Sequence, residues 1–393
     1  MPRKYLLKNV RPIAFPGHDG RSAIDIAVVD GRVTSSGVGL MPDDGATVMD
    51  FAGAFLSPAW VDMHTHVYWG GCDIASLPQE IGIGCGVPIL VDAGSAGEAI
   101  FHGFREFIIK PAREQIIPFL NVGTIGLVAT NRVPEVRVPN DIDFGLVMKT
   151  VEENPGLIAG LKVRMLKGMD LASDLLPLKM GKKLSRVLNL PVMVHFGPCP
   201  PLVEEILDML DEGDILTHCF QGKPACGISD DKRSIAAARR ALDRGVALDI
   251  GHGAGSFAYR VARKSIDSDI LPTTIGTDVH DWNINGPVWD LSIVMSKMLT
   301  VGLSVDAVVD GVTVAPRRLL HMEKPLLETG AKAEFTVFTM EDSDIELLDS
   351  YNESARITQR FMPKAVLWKG ELTEAASRYG KKIPNARYVT LDT

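Results

Sequence analysis

No apolar run in the chain approaches the roughly 18 residues that a membrane-spanning helix needs. The N-terminal stretch MPRKYLLKNVRPIAFPG lacks the long apolar core of a secretory signal. A membrane partner is therefore not expected. Cysteine is scarce: Cys72, Cys85, Cys199, Cys219 and Cys226 are five in 393 residues, irregularly spaced and without a CxxC pair. An odd, irregular set argues against a disulfide framework, and a reducing cytoplasm is the simplest setting. Each cysteine is expected to be a small buried hydrophobe. Cys219 adjoins His218, but consecutive strand residues face opposite ways, so its thiol should point away from any site. Positive charge is in deficit, with 41 Lys and Arg against 49 Asp and Glu and a net charge of −8. That argues against nucleic acid or an anionic membrane surface as a partner. No GxGxxG follows an early strand, so the dinucleotide-binding form of a doubly wound sheet loses support.

What is present is an ordinary globular balance, 46% hydrophobic and 23% charged, in a chain long enough for one large barrel or two domains. Short β-rich stretches open it, including a VVDGRV hairpin signal with an Asp-Gly turn. The same texture returns late in AKAEFTVFTM and SARITQRFMPKAVLWKG. Between them lie eight short apolar runs: AWVDMHTHV, VPILVDAGSAG, IIPFLNVGTIG, LIAGLKVRM, LPVMVHFGP, DILTHCF, VALDIGHG and LPTTIGTDVH. Continuous β-branched runs suit strands buried on both faces. Amphipathic stretches such as PPLVEEILDMLDEG and DKRSIAAARRALDRG separate them, each ending in glycine as helices often do. The expectation is an α/β fold: a distorted (β/α)8 TIM barrel over about 56–324, with a small β-sandwich domain built from 1–55 and 325–393.

The first run carries WVDMHTHVYWGG. Alternate strand residues share a face, so His64 and His66 point the same way, with Asp62 beside them. Two imidazoles on one strand face form half of a metal site. A barrel of this kind keeps its active site at the C-terminal ends of its strands. Those ends supply His64 and His66, then Lys162, His195, His218 and Asp278. Six nitrogen or oxygen donors at one end are hard to satisfy by packing, because each needs its own partner. A shared metal centre satisfies them together.

This set resembles the amidohydrolase superfamily, within which LVDAGSAG, GLKVRM, GDILTHCFQGK, DIGHGAGSF and NGPVWDLSIVMSKM look like the dihydroorotase-like deacetylase branch. The resemblance implies a binuclear Zn2+ site. His64 and His66 would hold one metal with Asp278, and His195 and His218 the other. Lys162, carboxylated by CO2, would bridge them. Burial favours a neutral amine, and a neutral amine can add carbon dioxide to become an anionic carbamate. A metal-bridging hydroxide would attack the scissile carbonyl, with Asp278 as general base and then acid.

Arg164 shares the face of Lys162 one step nearer the mouth and could grip a substrate carboxylate, or pair with a loop acid. His252 follows the seventh run and could face the substrate or bond a loop. Tyr68 stands where dihydroorotases typically carry an arginine, which weakens that reading. Asn285 could line the pocket or serve a turn. The expected substrate is a small-molecule carboxylate, favoured as an O-acetyl 2-hydroxy acid. The alternatives are an N-acyl amino acid deacylase or a cyclic-amide hydrolase of the dihydroorotase or hydantoinase type. A non-enzymatic scaffold is remote, since no ligand is missing. Further copies of the chain are expected as partners in a homo-oligomer.

Overall fold

The computed structural model describes residues 2–130, 132–165 and 175–383. Parts of the expected segments therefore lie outside the described residues: 384–393 of the terminal β segment, and 131 and 166–174 of the barrel segment. Seven parallel strands form one sheet in chain order: β1 (Val61–Thr65), β2 (Ile89–Ala93), β3 (Gln115–Asn121), β4 (Gly160–Met165), β5 (Val192–Phe196), β6 (Ile215–Thr217) and β7 (Ala247–Asp249). Their residues are almost all buried, as strands sandwiched between an inner core and outer helices must be. The eighth run, LPTTIGTDVH, is not a regular strand. It closes the barrel through two isolated parallel bridges, Asp249 with Thr274 and Thr65 with Val279.

Side chains replace the missing ladder there. Thr277 N–H donates to Asp62 Oδ1 at 2.9 Å and its hydroxyl to Asp62 Oδ2 at 2.6 Å, while Asp62 Oδ1 also accepts from His64 N–H. Asp62 thus ties the first strand to the last run and does not join the site opening. Burial pushes its carboxyl up to about 7.

The helices follow their sequence signals. In Lys232–Asp243, Asp231 caps the start by accepting from the Arg233 and Ser234 amides, and Ser234, Ala237, Ala238 and Ala241 form its buried stripe. In PPLVEEILDMLDEG the helix is only Val203–Asp208.

Strands from both chain ends join in a second, nine-stranded sheet. Phe55–Pro58 is the junction, pairing parallel with Arg11 and Pro12 of Lys4–Phe15 and antiparallel with Phe335–Phe338. One apolar cluster, including Leu7, Val10, Ile26, Leu56, Phe335 and Leu367, spans both contributions. The hairpin of Phe335–Leu348 and Ser354–Trp368 runs from this sheet onto the barrel.

The cysteines hold one surprise. Cys199 and Cys226, with Cα atoms 5.7 Å apart, are joined across the loops that follow β5 and β6. Sequence spacing could not show this, because hydrogen-bonded parallel strands bring together residues 27 positions apart. Cys72, Cys85 and Cys219 are buried free thiols, as expected.

Replacing Asp62 with Ala should lower the unfolding free energy by about 2–4 kcal/mol, since several buried donors lose their acceptor together. Urea denaturation checks this. A loss below about 0.5 kcal/mol, the scale of an ordinary surface substitution, would show that the closure does not depend on this carboxylate.

Candidate metal centre

The C-terminal ends of the barrel strands bring five of the six expected donors within reach of one another. His64, His218 and Asp278 place ligand atoms within 4.8 Å of each other. His66 Nε2 lies 3.3 Å and His64 Nε2 3.6 Å from Asp278 Oδ1. His195 Nδ1 and His218 Nε2 stand 2.7 Å apart. Lys162 is 1% exposed and lines the same cavity, its Nζ donating to Met193 Sδ at 3.4 Å.

The tautomers of three imidazoles follow from their partners. His218 Nδ1 faces the Gly251 carbonyl at 2.7 Å, which can only accept, so Nδ1 carries the proton. His64 Nδ1 faces the Thr217 hydroxyl at 2.8 Å, and that hydroxyl donates onward to Asp249 Oδ2 at 2.7 Å. Thr217 therefore accepts from His64. The same relay joins His66 Nδ1 to Ser95 Oγ at 2.9 Å and Ser95 to Asp92 Oδ2 at 2.7 Å. Each ring is protonated on its outer nitrogen and turns an Nε2 lone pair inward. This is how histidines are oriented for a metal by the groups behind them.

Burial keeps these rings neutral. It holds His66 and His218 down at about 4 and His64 and His195 well below the ordinary imidazole value, with nearby cationic groups adding to the effect on His64 and His195. It brings Lys162 down to about 7. Neutral imidazoles, the Asp278 carboxyl and an amine that burial makes easier to deprotonate fit divalent metal ions.

The backbone accepts strain to make this arrangement. His218 and Asp278 have φ of 70° and 49°, a left-handed conformation that costs about 1–3 kcal/mol for a non-glycine residue. Gly251 and Gly253 let the β7 loop pass against the donors. A Cβ at Gly251 would meet His218 Nδ1 at 2.8 Å, and one at Gly253 would crowd Asp278 Oδ2.

A cavity of about 680 Å³ opens above the cluster, lined by His66, Lys162, Arg164, His195 and Asp278. A larger groove of about 850 Å³ is lined by Lys182, Pro191, Asp214 and Thr273, at the opposite strand ends, and holds none of these donors. Arg164 lines the upper cavity and pairs with Glu135 Oε2 at 3.3 Å. The other three expected substrate contacts are not among its lining residues. Tyr68 donates its hydroxyl to the Ile100 carbonyl at 3.1 Å and stacks on Phe104. His252 is fully buried between the Gly253 carbonyl and Lys297 Nζ, 3.0 and 2.8 Å from its two nitrogens. Asn285 exchanges two hydrogen bonds with the Ile383 backbone. Among the lining residues that sequence reading missed are His280, Gln221, Lys223, Trp282, Thr130 and Ser256. Only His280 carried a signal, as the residue two positions after Asp278.

Comparison with known proteins agrees with this chemistry. A deacetylase of Agrobacterium fabrum is 44% identical over 384 residues, covering 97% of this chain and 93% of its own. The chain belongs to the amidohydrolase superfamily, in its dihydroorotase-like deacetylase branch. A Brucella anthropi deacetylase is 42% identical, with 97% and 94% of the two chains covered. A crystal structure described as a dihydroorotase superposes with a TM-score of 0.92 at 42% identity, covering 96% of this chain and all of the other. An adenine deaminase structure gives 0.84 at 28% identity, covering 95% of this chain and all of the other. No family model matches the chain. The protein is a metal-dependent hydrolase.

Thr217→Val keeps the side-chain shape but removes the acceptor behind His64. Metal affinity should fall about 10–100-fold, read by competition with a chelating dye. An affinity within about twofold of wild type, well short of that range, would separate this relay from metal binding.

The metal-free protein should also lose stability as pH falls from 6.5 through about 4. Burial depresses six imidazoles, those of His64, His66, His195, His218, His252 and His280. The unfolded chain protonates them near 6.5 and the folded chain only at lower pH, so their stabilisation is present above 6.5 and lost on acidification. Asp62 and Asp249, raised by burial to about 7 and 6, act oppositely, as do Glu98, Asp310 and Glu334, which burial raises less, but six imidazoles still outnumber these five carboxyls. Thermal melting of chelator-treated protein tests this. A melting temperature that holds or rises on acidification would contradict it.

Proposed function

We propose that the protein removes the acetyl group from an O-acetyl 2-hydroxy acid, using two zinc ions and a carbamate on Lys162. The observation that carries this reading is the convergence of three Nε2 lone pairs beside Asp278, at the floor of a cavity that also presents the cation of Arg164. His64, His66 and Asp278 would hold one metal, and His195 and His218 the other. The Lys162 amine, brought down to about 7 by burial, would add carbon dioxide and release a proton, giving an anionic carbamate as a further ligand. When bound, the metals make a water acidic and polarise the ester carbonyl.

The chain's own groups do the rest. Asp278 accepts the proton from the water and delivers it to the leaving 2-hydroxyl oxygen. Arg164, its far side braced by Glu135, faces the substrate carboxylate.

The similarity to a structure described as a dihydroorotase favours a second reading, hydrolysis of a cyclic amide. Tyr68 stands against it: this position has no cation, and its hydroxyl is held by Ile100.

The test is a panel of O-acetyl 2-hydroxy acids, N-acyl amino acids and cyclic amides offered to zinc-loaded protein. Turnover of the acetyl esters is expected. Opening of a cyclic amide without action on esters would establish the second reading. Arg164→Met should raise KM with little change in kcat, a loss of about 2–4 kcal/mol in kcat/KM for a charge-assisted contact. Metal content should be unchanged. Equal loss on neutral and anionic esters would make Arg164 structural.

A further inference from the structure

One wall of the upper cavity is built from two loops, residues 221–223 after β6 and 254–256 after β7. A single hydroxyl from the other sheet's hairpin joins them. Tyr351 Oη accepts from Gly222 N–H at 2.9 Å and donates to the Gly255 carbonyl at 2.8 Å. The hairpin tip is itself fastened down. Asp349, 2% exposed, accepts from the amides of Tyr351, Glu353 and Tyr259. Ser350 Oγ donates to the Gly253 carbonyl at 2.9 Å. Packing leaves no slack: a Cβ at Gly222 would meet Tyr351 Cε2 and Ala258 Cβ, each at 2.8 Å.

Lys223 stands on this wall. It lines the cavity, and its ammonium lies 5.5 Å from the centre of the Tyr351 ring. No carboxylate lies within 4.0 Å of it among the described residues. Arg164, by contrast, shares its charge with Glu135. Lys223 therefore adds a second cation to the opening, beside the Arg164 guanidinium that Glu135 braces.

We propose that Lys223 is a specificity-determining residue that selects anionic substrates, and that Tyr351 is the positioning residue that holds it at the cavity wall. This rests on reading the cavity as the site of an anionic acyl ester. Tyr351 acts in two ways. Its hydroxyl fixes the separation of the two loops, and its ring face favours the ammonium through a cation–π contact. The sheet made by the two chain ends thereby takes part in substrate choice through the hairpin.

The probes are O-acetyl-lactate, its neutral methyl ester, and lactate itself, with zinc-loaded full-length protein. Lys223→Met should raise KM for O-acetyl-lactate about 10-fold, the scale of one charge-assisted contact, with kcat and the methyl ester unaffected. Lys223→Arg should recover part of the loss. Tyr351→Phe should raise KM for the anionic ester less, and should speed hydrogen exchange at the Gly222 amide while leaving metal content normal. Equal effects of Lys223→Met on both esters, or none, would overturn the charge-selecting role. Unchanged exchange at Gly222 would overturn the positioning role. If wild-type protein hydrolyses neither ester, the acyl-ester reading fails. The role of Lys223 is then decided by titrating lactate calorimetrically, where equal binding by wild type and Lys223→Met overturns it. If Tyr351→Phe does not fold, Ser350→Ala loosens the same tip, and unchanged exchange across 252–257 would count against the latch.

Discussion

Three imidazoles of the centre, those of His64, His66 and His218, are protonated on the side away from it. This constraint organises much of the barrel interior. A buried histidine can offer a lone pair inward only if something behind it accepts its other proton. For His64 that acceptor is Thr217, for His66 it is Ser95, and for His218 it is the Gly251 carbonyl. Thr217 and Ser95 accept because their own protons go to Asp249 and Asp92. The site is therefore a two-layer hydrogen-bonded shell, with the outer layer taken from neighbouring strands.

That shell explains several otherwise costly features. Burial raises Asp249 to about 6, yet Thr217 and Thr274 both donate to it. His218 and Asp278 adopt left-handed backbone conformations, which place side chains where a regular strand would not. Gly251 approaches the His218 ring more closely than any side chain would allow. Lys162 sits among the same donors with most of its preference for a proton removed by burial.

The second sheet is tied into this arrangement. Its long hairpin meets the loops after β6 and β7, and buried Lys297 bonds the hairpin at Leu348, the β7 loop at His252 and the last barrel loop at Pro287. Three acceptors match the three ammonium protons. The cavity wall is thus assembled from segments far apart in the chain.

The sequence by itself determined the barrel class and which polar side chains gather at the strand ends. Both are written in local patterns: HxH alternation in one run, and single polar residues at the ends of β-branched runs, as at Lys162, His195, His218 and Asp278. Period-two alternation fixes side-chain direction without knowledge of any neighbour. Contacts that depend on a second, distant segment were decided only by the tertiary structure. It paired Arg164 with Glu135, buried His252 against Lys297, turned Tyr68 toward Ile100, and brought Cys199 to Cys226. It also made the closure of the barrel depend on Asp62, whose place in the first strand had suggested a role beside the histidines. A side chain's face follows from the strand that carries it, but its partner follows from which loops the fold lays beside it.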